Sequence, residues 1–329
     1  MTARKTLFAY NREIPWGQNR VTGDTLHAGR AQIYFKLVLT TFFWGGTFVA
    51  ARFAVHEVPP LFAAACRFGI AAAVLLALVA RQAQRRGETF PVPRNLREVL
   101  ALSSLGLTGI FCYNAFFFSG LKLTGAANGS LIVAINPLLT AVLSAWWLRE
   151  RIRPFQAAGL VVSLMGVGVI VTRGDVGAFR TLSFNHGDLL LLGAPLSWAV
   201  YSILGKRAMS TFSPLVATAY AALSGSLLLI PAAALEALGG AGPHRFSLLG
   251  WLAILQLALL GTVIGFVWWY EGVKTLGASR AALFVNLVPV FGTLLASLLL
   301  GERLGLPLLW GGTLVIAGVF GGTVRLKAG

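Results

Sequence analysis

The sequence predicts an all-α membrane protein of ten transmembrane helices, arranged as two inverted five-helix repeats. Three observations lead there: a composition too apolar for water, ten separate runs long enough to cross a bilayer, and a second half that echoes the first at a fixed offset. Of 329 residues, 57% are hydrophobic and 12% charged, and the mean hydropathy is +0.76. Even a large soluble domain needs a polar exterior, so a chain this apolar calls for lipid as its solvent.

The net charge of +16 would suit nucleic acid if the basic residues gathered on a polar domain. They lie instead in short gaps between apolar runs, so no nucleic-acid partner is expected. Cys66 and Cys112 both fall inside apolar runs, without the spacing of a metal site or a disulfide framework, and no metal or cofactor is expected.

Residues 1–32 are polar and mixed in charge, unlike a cleaved signal peptide, and read as a cytoplasmic tail with a possible short surface helix around Leu7 to Tyr10. A crossing helix needs roughly 20 mostly apolar residues. Ten runs meet that, at about 33–55, 61–80, 98–120, 125–148, 155–172, 187–205, 214–234, 248–270, 279–300 and 306–324. With the amino terminus inside, the cytoplasmic segments hold twenty Lys and Arg, the opposite side six, and Arg67 stays within a span. Basic short loops resist translocation, so both termini are expected in the cytoplasm of a bacterial inner-membrane protein.

Shifting the chain by 152 residues aligns 122–172 with 274–324 without a gap. Lys122, Gly125, Pro137, Glu150, Arg151, Gly159 and Gly166 each meet an identical residue, as do several Leu, Val and Ala. A shift of 154 places Trp44 and Pro60 over Trp198 and Pro214. Each half then holds five helices, and because five is odd the second copy enters the membrane from the other side. The expected organisation is a first repeat at 33–172, an external linker at 173–186, a second repeat at 187–324 and a cytoplasmic end at 325–329. Inverted repeats are the usual mark of secondary transporters, in which equivalent halves expose one central site to each face in turn.

Two copies of A-x(10)-P-x(12)-E-R-x(7)-G-x(6)-G, with Trp in the first helix of each half, resemble the EamA family of the drug/metabolite transporter superfamily. The resemblance covers about residues 33–324. It implies a central cavity surrounded by the first four helices of each half, peripheral fifth and tenth helices, and export of amino acids or related metabolites.

The candidate site residues follow from what hydrocarbon tolerates. Pro137 and Pro289 remove a backbone donor inside their spans and predict kinks, either structural or framing a site. Asn136 and Asn286 stand beside those kinks, and Asn114 lies in the third span. An unpaired amide in lipid costs several kcal/mol, so all three are expected inward, bonded to substrate, water or another helix. Trp44 and Trp198 sit well inside their spans, away from the interfacial belts, and with Tyr113 and Tyr201 suit either packing or a bulky apolar ligand. Trp269 joins them or belongs to a belt. Arg67 either attracts a substrate carboxylate or staples helix carbonyls.

Glu150 and Glu302 end the fourth and ninth spans, where an acid more often fixes a helix end than carries protons. All eleven acidic residues lie in the tail, loops or helix ends, so facilitated diffusion or exchange is favoured over coupling through a central carboxylate. Gly318 and Gly322, with Gly159, Gly166 and Gly168, suit close helix packing within the protein more than a homodimer contact, and a monomer is expected. The expected partners are a small-molecule substrate and the bilayer. An intramembrane enzyme would need a catalytic constellation at depth, but His27, His56, His186 and His244 all lie outside the spans. The substrate expectation is an amino acid, bulky or aromatic ones slightly favoured, with drugs, nucleobases and sugars as alternatives.

Overall fold

The computed structural model describes residues 23–124, 126–175, 177, 185–238, 247–301 and 305–323. The tail at 1–22 with its surface helix, Glu302, His244 and the end at 325–329 lie outside the described residues, as do the side chains of His27 and His56. Among the described residues all regular structure is helical. Nine helices among them are long and apolar enough to cross a membrane, and a shorter apolar helix supplies the remaining span. The ten are α1 (Gly23–Glu57), α2 (Pro60–Arg86), α3 (Leu96–Leu121), α4 (Ala126–Ala134 as α4a, Asn136–Trp147 as α4b), α5 (Pro154–Val171), α6 (His186–Ala208), α7 (Pro214–Leu238), α8 (Leu248–Leu276), α9 (Ala278–Val285 as α9a, Leu287–Leu300 as α9b) and α10 (Leu306–Thr323).

Helix ends follow local chemistry. Pro60, Pro154 and Pro214 open α2, α5 and α7, where the missing N–H is not needed. The Asn95 side chain accepts from the Glu98 N–H to start α3, and Asn185 forms a capping box with Asp188 to start α6. Gly87 and Gly301 close α2 and α9 at φ 65° and 69°, a conformation that favours glycine.

Four helices depart from regularity, in matching places of the two repeats. α3 widens into a π-helical stretch at Leu107–Cys112, and α8 does so at Gln256–Ile264. α4 breaks at Ile135 and α9 at Asn286. In each case the proline lies at the start of the following segment, where its missing donor interrupts the helix ahead of it.

The helices assemble as two clusters related by the repeat. α1 packs with α8 and α9, and its counterpart α6 packs with α3 and α4. α2 pairs with α7, and α5 with α10. The α5–α10 pair is tight because glycine faces glycine: a Cβ at Gly159 would lie 2.4 Å from the Gly318 carbonyl oxygen, and one at Gly166 2.5 Å from that of Gly311. The end of the bundle where α1 begins is termed the near face, and the opposite end the far face.

Candidate transport site

The irregular helices meet at a cavity between the two clusters, about 140 Å³ in volume. The two broken helices contribute Val133 and Asn136 from α4, and Val285 and Val288 from α9. Those pairs are counterparts at the 152-residue offset, so the repeat places the two breaks on opposite sides of one space.

An aromatic wall closes another side. Trp44 and Trp198 meet edge to face with centroids 5.2 Å apart, and Phe266 stands edge-on to both at 6.0 and 5.2 Å. Such pairs add about 0.5–1.5 kcal/mol beyond the apolar area they bury. The Trp44 indole N–H donates to the Gly261 carbonyl at 2.8 Å, whereas the buried N–H of Trp198 has no acceptor among the described residues. Glycines in the π-helical stretches permit this packing. A Cβ at Gly109 would lie 2.3 Å from the Tyr201 ring, and one at its counterpart Gly261 would lie 2.8 Å from Thr47.

The polar part of the lining is donor-rich. Arg67 of α2 donates through Nε to Thr262 Oγ1 at 2.8 Å, and its guanidinium lies 4.8 Å from the Phe68 ring centroid. Thr262 in turn donates to the Leu257 carbonyl, five residues back, at 3.0 Å. Tyr113, Asn114, Asn136 and Thr47 also line the space. The Asn114 amide donates to the Ile110 carbonyl at 2.7 Å, and Asn136 Oδ1 accepts from Thr140 at 3.2 Å, which leaves the Asn136 amide nitrogen without a protein acceptor among the described residues. None of the described lining residues is acidic.

Of the residues singled out from sequence, Trp44, Arg67, Tyr113, Asn114, Asn136 and Trp198 are brought together in this lining. Tyr201 and Trp269 are not part of it. Both are wholly buried behind it, Trp269 against Trp44 and Trp198 at 5.6 and 5.7 Å, so Trp269 stands in the core and not in a belt. Asn286 turns away to α5, where its amide donates to Ser163 Oγ at 2.6 Å. Pro137 and Pro289 lie outside the lining, each within the first turn beyond its break. Thr47, Phe48, Phe68, Gly109 and Phe266 were not anticipated. The run of aromatics at 266–270 was the one signal that pointed toward Phe266.

The near side of the cavity is closed. Tyr201 stacks on Tyr270 at 4.7 Å, and the Tyr270 hydroxyl donates to the Tyr201 carbonyl at 3.3 Å. The Glu150 carboxylate accepts from the Ala278 and Ser279 N–H groups at 3.0 and 3.1 Å and from the Ser279 hydroxyl at 2.5 Å, capping α9a. An acid there complements the positive end of a helix. Lys206 of α6 donates to the Val273 and Lys274 carbonyls at the end of α8, at 3.0 and 2.7 Å. These contacts join one cluster to the other, and α4b packs on α9a beside them.

The far side differs. The inverted repeat would pair α4a with α9b there, yet no comparable packing joins them among the described residues. The positions held by Tyr201 and Tyr270 near the floor correspond to Thr47 and Phe118 on this side, and Thr47 lines the cavity.

Residues 32–172 and 185–323 match the EamA-like transporter family. The chain is similar to the uncharacterized transporter YyaM of Bacillus subtilis (strain 168), 35% identical over 299 residues that cover 89% of this chain and 95% of that one. It is also similar to a probable amino-acid metabolite efflux pump of Salmonella typhimurium (strain LT2), 32% identical over 306 residues, 89% of this chain and 97% of that one. A solved crystal structure superimposes with a TM-score of 0.73 at 25% identity, covering 91% of this chain and 99% of its own. With both repeats matched and a cavity set between them, the chain belongs to the EamA-like transporter family.

Proposed function

We propose that this chain exports amino acids or closely related metabolites across the bacterial inner membrane by alternating access, with both termini in the cytoplasm. The observation that carries the reading is the unequal closure of the two faces around one aromatic cavity. The near face is held by Glu150, Lys206 and the Tyr201–Tyr270 stack, while among the described residues α4a and α9b show no packing on the far face comparable to that of α4b on α9a. In an inverted repeat the opposite state follows by exchange: α4a and α9b close the far face while α4b and α9a part. The breaks at Ile135 and Asn286 let the halves of α4 and α9 move separately. Two states of this kind need differ by only a few kcal/mol to be exchanged by a solute that prefers one of them.

The charge bias of the sequence supports the orientation, because the segments assigned to the cytoplasm hold twenty of the 27 basic residues. The efflux-pump name carried by a relative at 32% identity supports an amino-acid metabolite as cargo. The aromatic wall of Trp44, Trp198 and Phe266 favours a bulky apolar side chain. With no acid among the described lining residues, exchange or facilitated diffusion is the coupling that fits. The test is counterflow in proteoliposomes of purified protein, screened with amino acids, nucleobases and cationic drugs. Accumulation of labelled amino acid against an amino-acid-loaded interior is the expected result, and accumulation of nucleobase or drug alone would overturn the assignment.

A further inference from the structure

The guanidinium of Arg67 is a fixed cation about seven residues, or roughly 10 Å, along α2 from its start, in a wall otherwise made of neutral groups. A cation within a membrane span is costly unless it is paired or wet. Thr262 takes only its Nε, and the Phe68 ring covers one face. No carboxylate pairs with it among the described residues, where the ion pair present, Lys36 with Glu271 at 2.6 Å, lies at the near face. The counterpart of Arg67 in the second repeat is Ala221, and that of Thr262 is Ile110, so this polar pair exists on one side alone.

Resting on the export reading above, we propose that Arg67 anchors the carboxylate of the transported solute through its two Nη groups, and that Thr262 is the positioning residue that aims it. Three features support the assignment. Engaging Nε leaves the outer edge of the guanidinium, the pair of donors that matches a carboxylate in a bidentate fork. Tyr113 and Asn136, whose amide nitrogen has no protein acceptor among the described residues, line the same cavity as further donors, while none of the described lining residues is acidic. The aromatic wall then faces the other end of the solute. Thr262 sits where it does because the π-helical turn of α8 offers its hydroxyl the Leu257 carbonyl and turns its lone pairs toward α2. The recognised class is therefore a small carboxylate with an apolar body, and the ammonium group of an amino acid is not the feature that secures binding.

The probes are L-phenylalanine, 3-phenylpropionate and phenethylamine, which share a ring and differ in charged groups. Binding is read as a thermal shift of the full-length protein in detergent, and transport as counterflow. Both carboxylates are expected to bind the wild type at least tenfold more tightly than phenethylamine. Arg67→Gln should erase that preference, Arg67→Lys should retain part of it, and Thr262→Val should reduce it several-fold with little change in phenethylamine binding. If Arg67→Gln does not yield folded protein, the Lys and Val variants carry the same comparison. Equal binding of amine and carboxylates, an unchanged preference in the variants, or no shift with either carboxylate would overturn the anchor. Carboxylate-selective binding without counterflow would leave the anchor standing and sink the export reading instead; counterflow without carboxylate preference would do the reverse.

Discussion

Trp44 donates its indole N–H to the Gly261 carbonyl at 2.8 Å, while Trp198, its counterpart 154 residues on, keeps a buried N–H with no acceptor among the described residues. The repeat is thus broken at the point where the two halves touch. Trp44→Phe removes this bond to the Gly261 carbonyl and is expected to lower stability by about 0.5–1.5 kcal/mol. Trp198→Phe loses no hydrogen bond in this state, so its melting temperature in detergent should fall less. Alanine at either position should impair transport more than Trp310→Ala, because Trp310 is 70% exposed on the outside of α10. Equal transport losses in all three would refute the cavity.

Glu150 holds the first turn of α9a with three hydrogen bonds. Loss of a cap costs about 0.5–2 kcal/mol, and every 1.4 kcal/mol is a tenfold change in population. Glu150→Ala should therefore raise the ratio of open to closed molecules at the near face by about two- to thirtyfold. A thiol introduced as Val285→Cys, with Cys66 and Cys112 replaced, should react faster with a polar reagent applied from that face.

Gly159→Val places side-chain atoms against the Gly318 carbonyl, 2.4 Å from the Cβ position. Overpacking of this kind costs about 1–3 kcal/mol. The variant should melt earlier, yet transport per folded molecule should persist, since α5 and α10 contribute nothing to the cavity lining.

Orientation is open to a direct check. Thr211 and Leu123 are exposed at the near and far faces. Thr211→Cys should be labelled by an impermeant reagent only in inverted vesicles, and Leu123→Cys only in intact cells. The reverse pattern would place both termini outside.

Collapse of an imposed pH gradient should leave counterflow intact. A proton-coupled carrier needs a titrating group that faces the solute, and none of the described lining residues is acidic, while Glu150 and Glu271 are engaged at the near face by α9a and Lys36.

Sequence alone determined the ten spans, the inversion and the matching positions of Trp44, Trp198, Pro137 and Pro289. Hydrophobic length and repeat register are properties of the chain read in one dimension, and the bilayer turns them directly into topology. What tertiary structure decided was the facing of individual side chains. Asn136 and Asn286 stand one and three residues before a proline, so they sit two positions apart in repeat register, which is about 200° around a helix. One consequently lines the cavity and the other bonds to Ser163 of α5. The π-helical stretches had the same effect on Thr262 and Gly109, since a widened turn rotates every residue after it and leaves no mark in composition. The union of Arg67 with Thr262, 195 residues apart, also depended on two helices meeting, a fact that only packing supplies.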